Sequence, residues 1–187
     1  MNFLEKDLEE IIYESMTTRK GRTELHNRGL CVSGMPFRQV KLGEYGRLDL
    51  ATLHMEKCKK TDKYLCNITV YELKKKQIDA NALMQGCRYL TGLRHLFNYS
   101  ERIVFDFSLC LIGRSVCQGD FLYLCNHLPG NIEIYTYDYR IDGISFNCVN
   151  NGNWTLTEPS FEKDIVKISS SPGFPLIRNI LRFCEPY

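Results

Sequence analysis

No apolar stretch in this chain approaches the roughly twenty residues needed to cross a bilayer. The longest, Ile103 to Ile112, is interrupted by Asp106 and Ser108. The opening MNFLEKDLEE is acidic and amphipathic and lacks the basic-then-apolar pattern of a secretory signal. A cytoplasmic protein with no membrane partner is therefore expected. Paired CxxC spacing is also missing, although there are nine cysteines. An odd number with no Cys/His ligand spacing argues against both a disulfide framework and a zinc or iron–sulfur knuckle. Cys66, Cys110 and Cys148 instead lie in apolar, strand-like stretches, where a reduced thiol acts as a small hydrophobe. Strong charge of either sign is absent too, the net being +2. His26, His54, His95 and His127 are scattered, and no Ser-His or Cys-His signature accompanies them.

What is present is the composition of one ordinary globular domain, 44% hydrophobic and 25% charged over 187 residues. There is no internal repeat, low-complexity tract or linker. The expected organisation is one domain over 1–149 with an extension, 150–187, packed on it. Leu4, Leu8, Ile11 and Ile12 form a helical stripe over 3–16. Residues 22–32 and 37–42 read as strand or loop, and 46–55 as an alternating strand. CNITVYELK (66–74) is the strongest strand of the first half. Asp79 is a good N-cap for a helix over 80–97 whose Leu83, Met84, Cys87 and Leu90 should enter the core. The near-continuous apolar run 103–113 reads as a central strand. A short helix over 119–128 and a hairpin around Asp142-Gly143 follow. The tail holds Trp154 and a last helix over 176–183. The order predicts an α/β fold, a mixed sheet flanked by helices with a C-terminal β-hairpin and a short extension.

One constellation carries chemistry. Alternation in 66–74 puts Ile68, Val70, Glu72 and Lys74 on one face and Thr69, Tyr71 and Leu73 on the other. A buried face that ends in a carboxylate and an ammonium is costly unless the two are paired or bind something. GRLD (46–49) brings Asp49 into the expected antiparallel neighbour of that strand. Two adjacent carboxylates repel unless a cation lies between them, and a hard cation such as Mg²⁺ prefers oxygen ligands. Asp49 and Glu72 are the candidate metal ligands, joined by the Leu73 carbonyl. Lys74 is the candidate for orienting water or stabilising charge on a phosphate. Of the first-helix acids, Glu5 flanks the apolar stripe, whereas Glu9 and Glu10 point further from it, so Glu5 is the candidate to complete the site.

GRLD, YELK (71–74) and QGCRY (85–89), in that order, resemble the three motifs of PD-(D/E)xK nucleases. The likeness is to members whose third motif is Gln-x-x-x-Tyr, such as RecB-like nuclease domains, and to archaeal-type mismatch and single-strand endonucleases. It covers roughly residues 3–113. The first motif lacks a proline before its aspartate, and the segment between Asp49 and Glu72 is long and lysine-rich. The resemblance implies a restriction-endonuclease-like sheet, with Asp49 and Glu72 holding Mg²⁺ (or Mn²⁺) and Lys74 catalytic. Gln85 and Tyr89 would support the site, and Glu5 would be the helix-borne acid.

The function so implied is Mg²⁺-dependent hydrolysis of phosphodiester bonds, in DNA rather than RNA. The lysine groups Lys57, Lys59, Lys60, Lys63 and Lys74, Lys75, Lys76 suit phosphates, as do the tyrosines Tyr135, Tyr137 and Tyr139 bases. Both features are also ordinary for solvated faces and sheets. A homodimer is compatible with the sequence. The alternative is a catalytically inactive nuclease fold serving as a nucleic-acid-binding or protein-interaction module. The small size suits a phage or mobile-element origin.

Overall fold

The computed structural model describes residues 5–57, 63–97, 103–117, 119, 121 and 131–149. The extension from 150, with Trp154 and the expected last helix, lies outside the described residues. So does the expected helix over 119–128, apart from two of its residues.

The chain runs α1 (Glu5–Thr17), α2 (Arg19–Asn27), β1 (Met35–Lys41), β2 (Arg47–Lys57), β3 (Tyr64–Leu73), β4 (Gln77–Ile78), α3 (Ala80–Leu96), β5 (Ile103–Gly113), β6 (Ser115–Val116), β7 (Asn131–Arg140) and β8 (Gly143–Cys148), with a short 3₁₀ turn at Gly43–Tyr45. Six strands form one mixed sheet in the order β1-β2-β3-β5-β7-β8. The first three pair as an antiparallel meander. β3, β5 and β7 are parallel, and β8 closes the sheet antiparallel to β7. The excursion through β4 and α3 carries the chain from β3 to its parallel neighbour, as such pairing requires.

Helices cover both faces. On one, α3 places Leu83, Leu90 and Leu93 against Leu53, Ile68, Val70, Leu109 and Leu111. On the other, Leu8, Ile12 and Met16 of α1 pack with Leu50, Tyr71, Leu73, Cys110 and Ile112. Each such side chain contributes roughly 1.5–3 kcal/mol by leaving water. The expected faces of β3 are borne out. Ile68 and Val70 lie under α3, and Tyr71 and Leu73 lie under α1.

Several expectations are corrected. Residues 19–27 form a helix, not strand or loop. Thr18 caps it, its side chain accepting from the Gly21 N–H at 3.0 Å. The segment lacks an apolar period because it buries mainly Arg22, whose Nε donates to the Met16 carbonyl at 2.6 Å and whose other nitrogen reaches the Gly34 carbonyl. Gly21 permits this crossing, since a methyl there would collide with the Ser15 carbonyl. Ile11 is exposed, and Met16 takes its place in the buried stripe. Met84 is 70% exposed. Gly86 and Tyr89 face the sheet instead, because Gly86 lets Leu109 approach the α3 backbone. Cys66 and Cys110 are buried free thiols, but Cys148 is exposed on the outer strand β8. The hairpin forms one residue earlier than expected. Ile141 and Asp142 make the turn, and Gly143 follows at φ 132°, where a side chain would be strained. Tyr135 and Tyr137 are core residues, and Tyr139 alone of the three is exposed. Among the described residues, no helix is long and apolar enough to cross a membrane.

Candidate functional site

The sheet forks at one end. β2 remains paired to β1 down to Arg47, and β3 remains paired to β5 up to Leu73. Between β2 and β3, however, the ladder stops at Leu50 opposite Tyr71. One step further along this register, Asp49 stands opposite Glu72, where the two strands part. Backbone groups released by the fork become available to side chains, and the Leu73 N–H donates to Asp49 Oδ2 at 3.4 Å.

Glu72 continues the apolar face of Ile68 and Val70, and its side chain is 0% exposed. Lys74, just past the strand end, returns on the same face and donates from Nζ to Glu72 Oε1 at 2.6 Å. The second carboxylate oxygen, Oε2, is buried and has no hydrogen-bond partner. Burial pushes the Glu72 carboxyl up to about 7, with Asp49 and Glu5 adding to the rise and Lys74 opposing it. Asp49 is raised as well, first by burial and then by Glu5, while the Leu73 N–H and Lys74 act the other way. For Lys74, burial alone would favour the neutral amine. The Glu72 hydrogen bond and the surrounding carboxylates outweigh it, so the ammonium is held above its ordinary range.

α3 adds a relay. Lys74 Nζ donates to Gln85 Oε1 at 3.3 Å, Gln85 Nε2 donates to the Tyr89 hydroxyl at 2.7 Å, and that hydroxyl donates to the Arg47 carbonyl at 2.7 Å. Helical i, i+4 spacing puts Gln85 and Tyr89 one above the other. The relay therefore ties the ammonium to the start of β2, two residues before Asp49.

Glu5 enters from α1, where Oε2 accepts the Lys75 N–H at 3.0 Å. The Tyr137 hydroxyl donates to the carbonyl of the same residue at 2.9 Å. All the sequence-predicted residues, Glu5, Asp49, Glu72, Leu73, Lys74, Gln85 and Tyr89, thus converge on this end of the sheet. They do not converge on one point. Among the described residues, no three His, Cys, Asp or Glu side chains are gathered closely enough to hold an ion. Asp49 is held by a backbone N–H and Glu72 by an ammonium.

Sequence reasoning missed Glu9 and Gln39. Glu9 Oε2 accepts from Gln39 Nε2 at 2.8 Å. Its carboxyl is raised by burial and by the charge of Asp49. Gln39 has φ 54°, a left-handed conformation no other described non-glycine residue adopts. Such a backbone costs on the order of 1–3 kcal/mol. Glu9 follows Glu5 by one helical turn, a spacing that puts both on one face and would have found it. No local signal marks Gln39.

The histidines stand apart. His26 Nδ1 lies 3.3 Å from Cys31 Sγ, and His95 Nδ1 lies 2.6 Å from the Tyr45 hydroxyl. His127 lies outside the described residues. Comparison with family models, with curated proteins and with solved structures finds no match to this chain.

Proposed function

We propose that this protein is a divalent-cation-dependent nuclease that hydrolyses phosphodiester bonds of DNA, on a restriction-endonuclease-like form of its mixed sheet. One observation carries the reading. A fully buried Glu72 keeps one oxygen without a donor, at a fork shared with Asp49 and beside an ammonium. A buried carboxylate oxygen normally has a partner, and its absence here costs free energy unless something binds.

The donor set fits a hard cation. Asp49, Glu72 and the Leu73 carbonyl would hold Mg²⁺, with Mn²⁺ as a substitute, and the acids are all oxygen donors of the kind these ions prefer. When bound, the ion would supply a water of lowered pKa and neutralise charge on the phosphate. The chain's own residues do the rest. Lys74 presents a fixed positive charge at the mouth of the site, where a phosphate oxygen gains charge during attack. Gln85 and Tyr89 restrict where that ammonium can point. Glu5 fixes the Lys75 backbone at the turn that carries Lys74. Exposed Lys76 and Arg114 stand at the same end of the sheet, Arg114 packing over the Tyr139 ring. Both would meet a nucleic-acid backbone through its phosphates.

A second reading, a binding module with an unused site, draws on the separate donors that Asp49 and Glu72 each already have. The deciding experiment is cleavage of fluorescent single-stranded and duplex DNA, and of RNA, with Mg²⁺, Mn²⁺ or chelator, by wild type and Glu72→Gln. Cation-dependent cleavage lost in the variant supports the nuclease. Wild-type protein that binds DNA but cuts none of the substrates supports the module.

A further inference from the structure

The fork does not by itself explain where Asp49 points. In a regular strand, residues two apart share a face. Leu48 and Leu50 do not. Leu48 packs in the core beneath α3, together with Ala51, Leu53 and Met55, whereas Leu50 packs beneath α1. The alternation of β2 therefore reverses once, and it reverses at Asp49. The neighbouring strand does the same. Phe37 and Val40, three residues apart, both pack under α3. Between them, consecutive residues both reach α1: the Arg38 guanidinium lies 4.9 Å from the Tyr13 ring centre, and the Gln39 amide donates to Glu9.

The two reversals are opposite each other. Arg38 pairs with Leu50 and Val40 with Leu48, so the unpaired position between them sets Gln39 against Asp49. The register is the same on either side, and no residue is inserted. Within β1 and β2, Gln39 alone has a positive φ.

We infer that Gln39 is a positioning residue of the acidic site: its left-handed backbone turns its cross-strand partner Asp49 off the α3 core face and into the fork between β2 and β3. Asp49 then takes the Leu73 N–H opposite Glu72, at the end of the sheet where Gln39 holds Glu9 and the Lys75 N–H holds Glu5. With regular alternation, the Asp49 side chain would enter the apolar core under α3 with Ala51 and Leu53, away from the Leu73 N–H in the fork. The Gln39 side chain braces Glu9, but the backbone conformation sets Asp49. The consequence for catalysis rests on the nuclease reading; the consequence for Asp49 does not.

Two substitutions separate backbone from side chain. Glycine adopts φ near 54° readily, and a β-branched valine does not, although valine is the better strand former. The metal-free readout is the Leu73 amide proton in NMR, its shift and hydrogen-exchange protection, with Asp49→Ala defining the signal when the acceptor is absent. Gln39→Gly should keep the wild-type Leu73 signal, and Gln39→Val should move it to the Asp49→Ala position. In parallel, Mn²⁺ affinity and DNA cleavage should fall at least tenfold in Gln39→Val and less than threefold in Gln39→Gly. A wild-type Leu73 amide in a folded Gln39→Val overturns the inference whatever the activity. A Gln39→Gly protein that loses the signal also overturns it, because the side chain would then be the cause. Should Gln39→Val not fold, the Gln39→Gly result and Gln39→Asn, which tolerates left-handed φ but is too short to brace Glu9, decide the same way. A wild type inert towards Mn²⁺ and DNA, with the Leu73 signal behaving as expected, refutes the nuclease reading and leaves the positioning of Asp49 standing.

Discussion

Lys74 and Glu72, two residues apart at the end of β3, meet through a single 2.6 Å hydrogen bond from Nζ to Oε1. The other oxygen of the same carboxylate is buried and unpartnered. A structural ion pair in a protein interior normally satisfies both oxygens, because a half-satisfied buried charge costs more than an apolar pair would. Here the ammonium is also drawn toward Gln85. The arrangement leaves one oxygen of the buried carboxylate without a donor.

The first prediction is a pH dependence of stability. Glu72 titrates near 4.5 when unfolded and at about 7 in the fold. The native state therefore binds the proton more tightly, and metal-free stability falls as pH rises from about 4.5 through 7, then levels. The loss is on the order of 3 kcal/mol. Glu72→Gln removes this component. Urea unfolding at pH 5 and pH 8, with chelator, should give a larger pH 5 advantage in wild type than in the variant. Equal pH dependence in the two would refute the assignment.

Divalent cation should reverse that loss. An ion that binds only the folded protein stabilises it by about 2.7 kcal/mol at a hundred times its dissociation constant. Raising Mg²⁺ or Mn²⁺ at pH 8 should therefore raise the melting temperature of wild type but not of Asp49→Asn or Glu72→Gln. Without metal, Asp49→Asn should melt within a degree or two of wild type, since an amide oxygen still accepts the Leu73 N–H. A cation-induced rise equal in all three proteins would place the ion elsewhere.

Lys74→Met should separate binding from chemistry. Removing the ammonium takes away the charge beside the phosphate but leaves the oxygen donors. Cleavage should drop by roughly a hundredfold or more, as when a charge-stabilising donor is lost. Calorimetric Mn²⁺ affinity should remain within a few-fold, and the Glu72 carboxyl should titrate still higher. A variant that loses cation binding along with cleavage would make Lys74 a structural partner of Glu72.

Tyr89→Phe tests the relay. It deletes the acceptor for Gln85 and the donor to the Arg47 carbonyl. Leaving these groups unpaired should destabilise the protein by about 1–3 kcal/mol. If the relay aims Lys74, kcat falls about tenfold while KM barely moves. Unchanged kcat with lowered stability would make Tyr89 a packing residue only.

A final prediction concerns the frame beneath the site. Gly21→Ala brings a methyl onto the Ser15 carbonyl where α1 and α2 cross. The helices must separate, and stability should fall by about 2 kcal/mol or more. Because α1 carries Glu5 and Glu9, cation affinity should weaken as well. A variant with wild-type stability would mean that the crossing is looser than the structure shows.

Much of this site was legible in the chain. CNITVYELK alternates apolar and polar groups cleanly enough to declare both faces of β3 and to place Glu72 and Lys74 on the α3 side. Asp79 follows from capping, Gln85 and Tyr89 from the likeness of QGCRY to a known motif, and the hairpin, one residue out of place, from Asp142-Gly143. These features are encoded within a few neighbouring residues, which periodicity can read. Where a residue's environment comes from distant segments, the sequence was silent. α2 looked non-helical because its buried side is only Leu25 and Arg22, the latter bonded to carbonyls of other segments. Met84 looked like core, yet Gly86 draws α3 onto the sheet along another line. Glu9 was set aside as pointing away from the apolar stripe, and nothing local marks its partner Gln39, 30 residues on. The direction of Asp49 depends on a left-handed residue in the adjacent strand. A backbone angle of that kind is unfavourable locally, so only the contacts of the folded protein select it.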